Sequence, residues 1–182
     1  MIYLDNAATT FPKPPEVGRA VGGVITKLGG NPGRGGHPGA IAGGRIMENG
    51  RSRLAGLMGE KDASRIAFTP GCTDALNTAL MGYLCKGDHV LCSYCEHNAV
   101  MRVLHHLQTL GQITVTQLQP DNEGRIDPAG IKPHITARTA LCVLCHASNV
   151  TGVIQPAREI AMVLHSYGVP LLLDAAQTAG TV

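Results

Sequence analysis

From residue 65 onward the sequence alternates short apolar runs with amphipathic stretches, and that alternation leaves few folds open. Arg65-Ile66-Ala67-Phe68, residues 89–93, Ile113-Thr114-Val115-Thr116, residues 139–145 and residues 169–174 read as strands. Between them, stretches near 74–84, 97–110 and 157–167 carry apolar residues at helical spacing, and a short helix follows Asp127-Pro128. Strands of this length separated by helices predict an α/β fold, a mostly parallel sheet flanked by helices on both faces. Upstream, Val17, Ala20, Val21, Val24, Ile25 and Leu28 form one apolar helical stripe, and a second helix is expected around 40–58. Between these helices, Gly29 to Gly39 is too rich in Gly and Pro for either element and predicts a loop. That loop is no nucleotide fingerprint, because it follows a helix rather than a strand and lacks the Lys-Ser/Thr of a P-loop. Its Arg34 and His37 remain candidates for an anionic ligand. The expected division is an N-terminal segment and helix over 1–30, then one larger domain over 31–182.

Charge and aromatic content narrow the partners. A net charge of +2 and 15% charged residues, with no basic run, argue against a nucleic-acid surface. Two Phe, four Tyr and no Trp leave little for base stacking. No apolar stretch reaches the roughly 18 residues that cross a bilayer, and Met1 to Asp5 lacks the basic start of a leader. A cytoplasmic protein with small-molecule partners and no membrane or nucleic-acid partner is therefore expected. The pairs Cys92-x-x-Cys95 and Cys142-x-x-Cys145, with His97 and His146 nearby, invite a zinc reading. The first cysteine of each pair lies in a β-type run, where residues i and i+3 face opposite ways and cannot share a tetrahedral metal. Most of these thiols are expected to be small buried hydrophobes, unpaired in a reducing compartment.

The chemistry-bearing residues collect where strands end, which is where parallel sheets present their sites. Val169-Pro170-Leu171-Leu172-Leu173 runs straight into Asp174. Asp174-x-x-Gln177 fits a capping box, but a fixed carboxylate here also suits the ring nitrogen of pyridoxal phosphate, keeping that ring an electron sink. Thr69-Pro70-Gly71-Cys72-Thr73-Asp74 reads as strand, tight turn and helix start, a cradle for phosphate or an ordinary N-cap at Thr73. His97 follows the strand at 89–93 and suits either a cap or a flat cover over a pyridine ring. Asn149 follows the strand at 139–145 and is either a turn residue helped by Gly152 or a paired donor and acceptor.

These residues, in this order and spacing, resemble the cysteine desulfurases of the class V aminotransferase family, pyridoxal phosphate enzymes of fold type I. The resemblance is carried by Leu4 to Thr10, Asn31/Arg34/His37, Phe68-Thr69-x-Gly71-x-Thr73-Asp74-Ala75, Glu96-His97-Asn98, His146-x-Ser148-Asn149-Val150-x-Gly152 and Asp174-Ala175-Ala176-Gln177. It implies that Cys72 and Thr73 hold the cofactor phosphate and that His97 stacks on the ring as the catalytic residue. It further implies that Asp174 pairs with the pyridinium nitrogen, that Gln177 and Asn149 lie at the phenolic oxygen, and that Asn149, Asn6 and Ala7 face substrate. Cys72 departs from the Thr or Ala common at its place. The family's cofactor-anchoring lysine, carboxylate-binding arginine, sulfur-accepting cysteine and smaller domain have no counterpart here. Lys13, Lys27, Lys61, Lys86 and Lys132 match no such context.

The implied whole is a homodimeric enzyme that takes sulfur from L-cysteine, leaves alanine and passes a persulfide to an acceptor protein. These residues are its truncated large domain, expected to be inactive alone and to self-associate through the Leu171 to Leu173 strand. A selenocysteine lyase or another class V aminotransferase, and a noncatalytic fragment acting as a binding or assembly partner, are the alternatives.

Overall fold

Prolines and glycines punctuate the chain, and the computed structural model, which describes residues 2–182, follows that punctuation. Its contacts fall into two units, one ending at Phe68 and one spanning Thr69–Val182. In the first unit lie helices α1 (Pro15–Lys27) and α2 (Pro38–Leu57), each with a proline in its first turn. Proline suits that place, since its fixed φ is helical and its missing N–H has no intrahelical partner to lose. The expected loop therefore ends at His37 rather than Gly39, because Pro38 opens α2 and Gly39 continues it. The loop closes on itself where Gly29-Gly30 meets Gly39-Ala40: a Cβ on Gly39 would lie 2.6 Å from the Gly29 carbonyl oxygen, and one on Gly30 would lie 2.4 Å from the Ala40 nitrogen. Only glycine permits backbones so close.

The strand expected over residues 65–68 is absent. Ala63–Arg65 is a 3-10 turn, and Ile66 is extended but lies outside any ladder. Its carbonyl accepts from Arg51 Nε at 3.0 Å, and the Arg51 guanidinium stands 5.5 Å from the Phe68 ring centre. A side chain of α2 has taken the hydrogen bond that a neighbouring strand would otherwise provide.

The second unit begins with α3 (Cys72–Tyr83) and continues through β1 (His89–Ser93), α4 (Asn98–Thr109) and β2 (Thr114–Leu118). A 3-10 segment over Ala129–His134, β3 (Thr139–Cys145), α5 (Ala157–Ser166) and β4 (Leu171–Asp174) follow. The four strands lie in the order β2-β1-β3-β4, and every pairing is parallel, as the alternating sequence predicts. β4 starts later than expected, at Leu171. Pro170 accepts from the Cys142 N–H at 3.0 Å but has no N–H to return.

Period-two alternation splits the strand side chains between two cores. Val90, Cys92, Leu141 and Val143 pack with Leu76, Leu80, Val100 and Leu104 of α3 and α4. Leu91, Cys142 and Leu144 pack with Ile131, Ile160 and Leu164 on the other face. This burial dominates stability. Truncating fully buried Leu164 to Ala costs about 2–5 kcal/mol, whereas the surface ion pairs Arg19–Glu16 and Arg65–Glu60, screened by water, contribute little.

His89, 6% exposed, pins the amino end of the sheet. Its Nδ1 bonds Thr139 Oγ1 of β3 at 2.8 Å and its Nε2 bonds Thr116 Oγ1 of β2 at 2.9 Å. Burial first, then the charges of Arg138 and His134, hold its pKa below the ordinary 6.5. The folded state thus disfavours the imidazolium, so this contribution to stability is full above the ordinary value and is lost as pH falls through the lowered one. Urea unfolding followed from about pH 7 to pH 5 should show that acid-side decline, and His89→Gln should flatten it. A decline of the same size in the variant would refute this assignment.

Apolar surface is left uncovered in each unit. Among the described residues α1 buries none, with Val21 54% and Ile25 77% exposed. In the second unit, no described strand pairs with the outer edge of β4, and a cleft of about 380 Å³ lined by Ala79, Tyr83, Leu141, Leu171 and Leu172 opens beside it. Such surfaces favour association. The purified chain is expected to run larger than 19.0 kDa in size-exclusion chromatography with light scattering. A monodisperse monomer at micromolar concentration is the contrary result.

Candidate functional site

Because the strands are parallel, their carboxyl ends share one edge, and three of them lead into the residues singled out in the sequence. Asp174 ends β4 opposite Cys145 of β3 and is 4% exposed. A carboxylate so buried needs donors. Its Oδ1 accepts from the Ala176 N–H at 3.0 Å and from the Cys72 thiol at 3.5 Å, while its carbonyl accepts from the His146 N–H at 2.9 Å. The capping-box expectation is thereby corrected. The carboxylate serves the amide two residues on, and turns rather than a helix follow through Thr181, with Gln177 half-buried among them.

Cys72 is the first residue of α3 and brings that helix start against Asp174. Burial, then the charge of Asp174 and the hydrogen bond to it, push the thiol pKa up. Thr73 is not the N-cap. Gly71 holds that place in extended conformation without a side-chain cap, and Thr73 sits one residue inside the helix. The first helical bond runs from the Ala75 N–H to the Gly71 carbonyl at 3.1 Å, so the amides of Cys72, Thr73 and Asp74 precede the intrahelical ladder. A Cβ added at Gly71 would meet nothing within 4 Å, so the space before the helix is open. Free amides and the helix dipole together favour an anion there.

His97 proves to be a cap, one of its two expected roles. Its Nδ1 accepts from the Ala99 N–H at 3.1 Å at the start of α4. Since an amide always donates, the neutral ring must carry its proton on Nε2. The side chain is otherwise exposed at the same edge.

Glu96, part of the Glu96-His97-Asn98 motif, has a role that the motif alone does not announce. It is mostly buried, and its Oε1 accepts from Ser93 Oγ at 2.5 Å and from the Cys145 N–H at 2.7 Å. Its Oε2 is buried without a partner among the described residues. Burial raises its pKa above the ordinary value, opposed by those two bonds and reinforced by the charge of Asp174. The available signal was a carboxylate placed directly between an apolar strand and His97.

Asn149 is exposed in the turn after β3, and the turn belongs to Ser148 rather than to Asn149. Ser148 Oγ accepts from the Val150 and Thr151 amides at 3.2 and 3.3 Å, and Gly152 closes the turn at φ +72°. Asn6 and Ala7 belong to the first unit, where Asn6 Oδ1 accepts from the Phe11 N–H at 3.2 Å. Cys92 and Cys142 are buried on opposite faces with pKa values pushed up to about 12 by burial, and Cys95 lies in the turn beyond β1 instead of on a strand. Among the described residues no group of His, Cys, Asp and Glu is arranged to hold a metal ion.

The fold and this edge define a parallel α/β protein with a carboxylate, a histidine and an open helix start gathered at its strand tips. Residues 2–182 match the family described as Aminotransferase class-V, and the chain belongs to that family. A cysteine desulfurase IscS of Anaeromyxobacter sp. (strain K) is 35% identical over 100% of this chain and 45% of its own length. Among solved structures, SspA in complex with cysteine superposes with a TM-score of 0.90 at 27% identity, covering 98% of this chain and 51% of the other. The apo cysteine desulfurase of Thermococcus onnurineus gives 0.89 at 27% identity, covering 98% and 45%. The chain thus spans about half the length of the curated relatives it matches.

The contact between Cys72 and Asp174 has a chemical readout. Replacing Asp174 with Asn removes the negative charge that raises the thiol pKa, so the reactive thiolate gains population. Alkylation of Cys72 at pH 8, followed by peptide mass mapping to separate it from Cys85 and Cys95, should accelerate about threefold to tenfold in Asp174→Asn. An unchanged rate would show that the carboxylate does not govern the thiol.

Proposed function

We propose that these residues form the cofactor-binding portion of a cytoplasmic, homodimeric, pyridoxal phosphate-dependent cysteine desulfurase, which converts L-cysteine to L-alanine and carries the sulfur as a persulfide to an acceptor protein. The observation that carries this reading is the buried Asp174 carboxylate standing 3.5 Å from the first residue of α3. One short contact joins a site for a cationic nitrogen to a site for an anion, which are the two poles of pyridoxal phosphate. The likeness to cysteine desulfurases along the whole chain, and to a structure holding cysteine, supports the choice of substrate.

In this reading the amides of Cys72 and Thr73, with the Thr73 hydroxyl, hold the phosphate at the positive end of α3. Asp174 faces the ring nitrogen, and its own tie to Ala176 orients the carboxylate. Bound there, pyridoxal phosphate supplies an electron sink for the substrate α-carbon. Gln177 and Asn149 donate toward the phenolic oxygen, and Asn149 also serves the substrate side. His97 covers the ring and presents Nε2–H.

The lysines of this chain, Lys13, Lys27, Lys61, Lys86 and Lys132, are all exposed, and none stands at the carboxyl edge of a strand. These residues therefore bind the cofactor noncovalently and do not turn over cysteine by themselves. Titration of the purified 182-residue chain with pyridoxal 5′-phosphate should show saturable binding that weakens at least about tenfold in Asp174→Ala. Binding indifferent to Asp174, or alanine released from cysteine by this chain free of host enzyme, contradicts the proposal.

A further inference from the structure

We infer that Glu96 is a positioning residue whose carboxyl group latches the turn before α4 to the tips of β1 and β3 and so fixes where His97 stands. The turn over residues 94–97 hangs across three strand ends. The Tyr94 N–H donates to the Leu118 carbonyl at the end of β2 at 3.0 Å. Two residues later, Glu96 reaches the other way, to Ser93 of β1 and to the Cys145 amide of β3, 49 residues on in sequence. His97 comes next, with its ring committed to Ala99 and its backbone extended at φ −69° and ψ 152°. Both ends of the turn are thus tethered before the histidine that caps α4.

Burial and the uneven use of its two oxygens favour the neutral carboxyl over the ionised one. Both donors converge on Oε1, while Oε2 is buried with no partner among the described residues. An ionised group would place part of its charge on that undonated oxygen, a buried charge without compensation. Among the described residues, the groups that clearly shift Glu96 or are shifted by it are Cys92 of β1, Cys95 of the turn, Cys142 and Cys145 of β3 and Asp174 of β4. None is a cation. Asp174 and Glu96 each have two donors on one oxygen, and what sets Glu96 apart is a second oxygen buried without a partner among the described residues. The latch also gives its two donors a single acceptor that glutamine reproduces, since a carboxamide oxygen accepts in the same place and its NH2 stands where the protonated oxygen was.

The test follows the Cys145 amide by ¹H–¹⁵N NMR while the 182-residue chain is titrated with base, and in parallel measures affinity for pyridoxal 5′-phosphate. Only the cofactor arm rests on the desulfurase reading. The wild-type Cys145 amide should titrate with a midpoint above 4.5, the ordinary value for this carboxyl, and Glu96→Gln should abolish that step. Glu96→Gln should hold cofactor affinity within about twofold, whereas Glu96→Ala should lower it about tenfold and shift the His97 ring signals. A Cys145 amide without the step, a step that persists in Glu96→Gln, or a Glu96→Gln variant as impaired as Glu96→Ala overturns the latch. Failure of the wild type to bind cofactor at all overturns the desulfurase reading instead, and the Cys145 titration still decides the latch.

Discussion

A buried negative charge is tolerable only where donors surround it, and the carboxyl edge of this sheet is organised by that requirement. Asp174 draws the start of α3 and the turn after β4 onto its carboxylate through the Cys72 thiol and the Ala176 amide, while its backbone carbonyl accepts from the His146 amide just beyond β3. Segments far apart in sequence meet there because the carboxylate would otherwise be unsatisfied in the interior. The hydrophobic layers on either face supply most of the stability, but they are nondirectional. They bring β3 and β4 together without specifying how the tips finish. The polar contacts make that specification, and they make it at the carboxyl edge of the sheet.

Much of this was legible in the sequence because it depends on periodicity. The runs at 89–93 and 139–145 became strands with those bounds, and the helical stripes after them became α4 and α5. What was not legible depends on partners. Ile66 has strand-like residues around it, yet its carbonyl is taken by Arg51, and no local pattern announces that an arginine side chain will replace a neighbouring strand. Thr73 looked like a cap because threonine prefers that role. Gly71 took the place, since the extended backbone there let the helix begin two residues earlier. The turn after β3 shows the same limit. Asn149 has turn chemistry, but the hydroxyl of Ser148 accepts the two amides.

Glu96 escaped notice for a related reason. Its significance lies in reaching an amide of β3, a distance along the chain that no short motif encodes. His97, by contrast, was visible by position. Its two readings, cap and ring cover, turn out to be compatible, since the cap uses Nδ1 and leaves Nε2–H and the ring face exposed. A local structural role therefore does not argue against a chemical one when the two use different atoms.

The crossing of Gly29-Gly30 over Gly39-Ala40 bears on the segment it encloses. With backbone touching backbone at its neck, that segment behaves as a small ring whose circumference is set by the residues from Asn31 to Pro38. A ring so short sweeps little volume. Arg34 and His37 ride on it within a narrow radius, so any anion they greet must come to them.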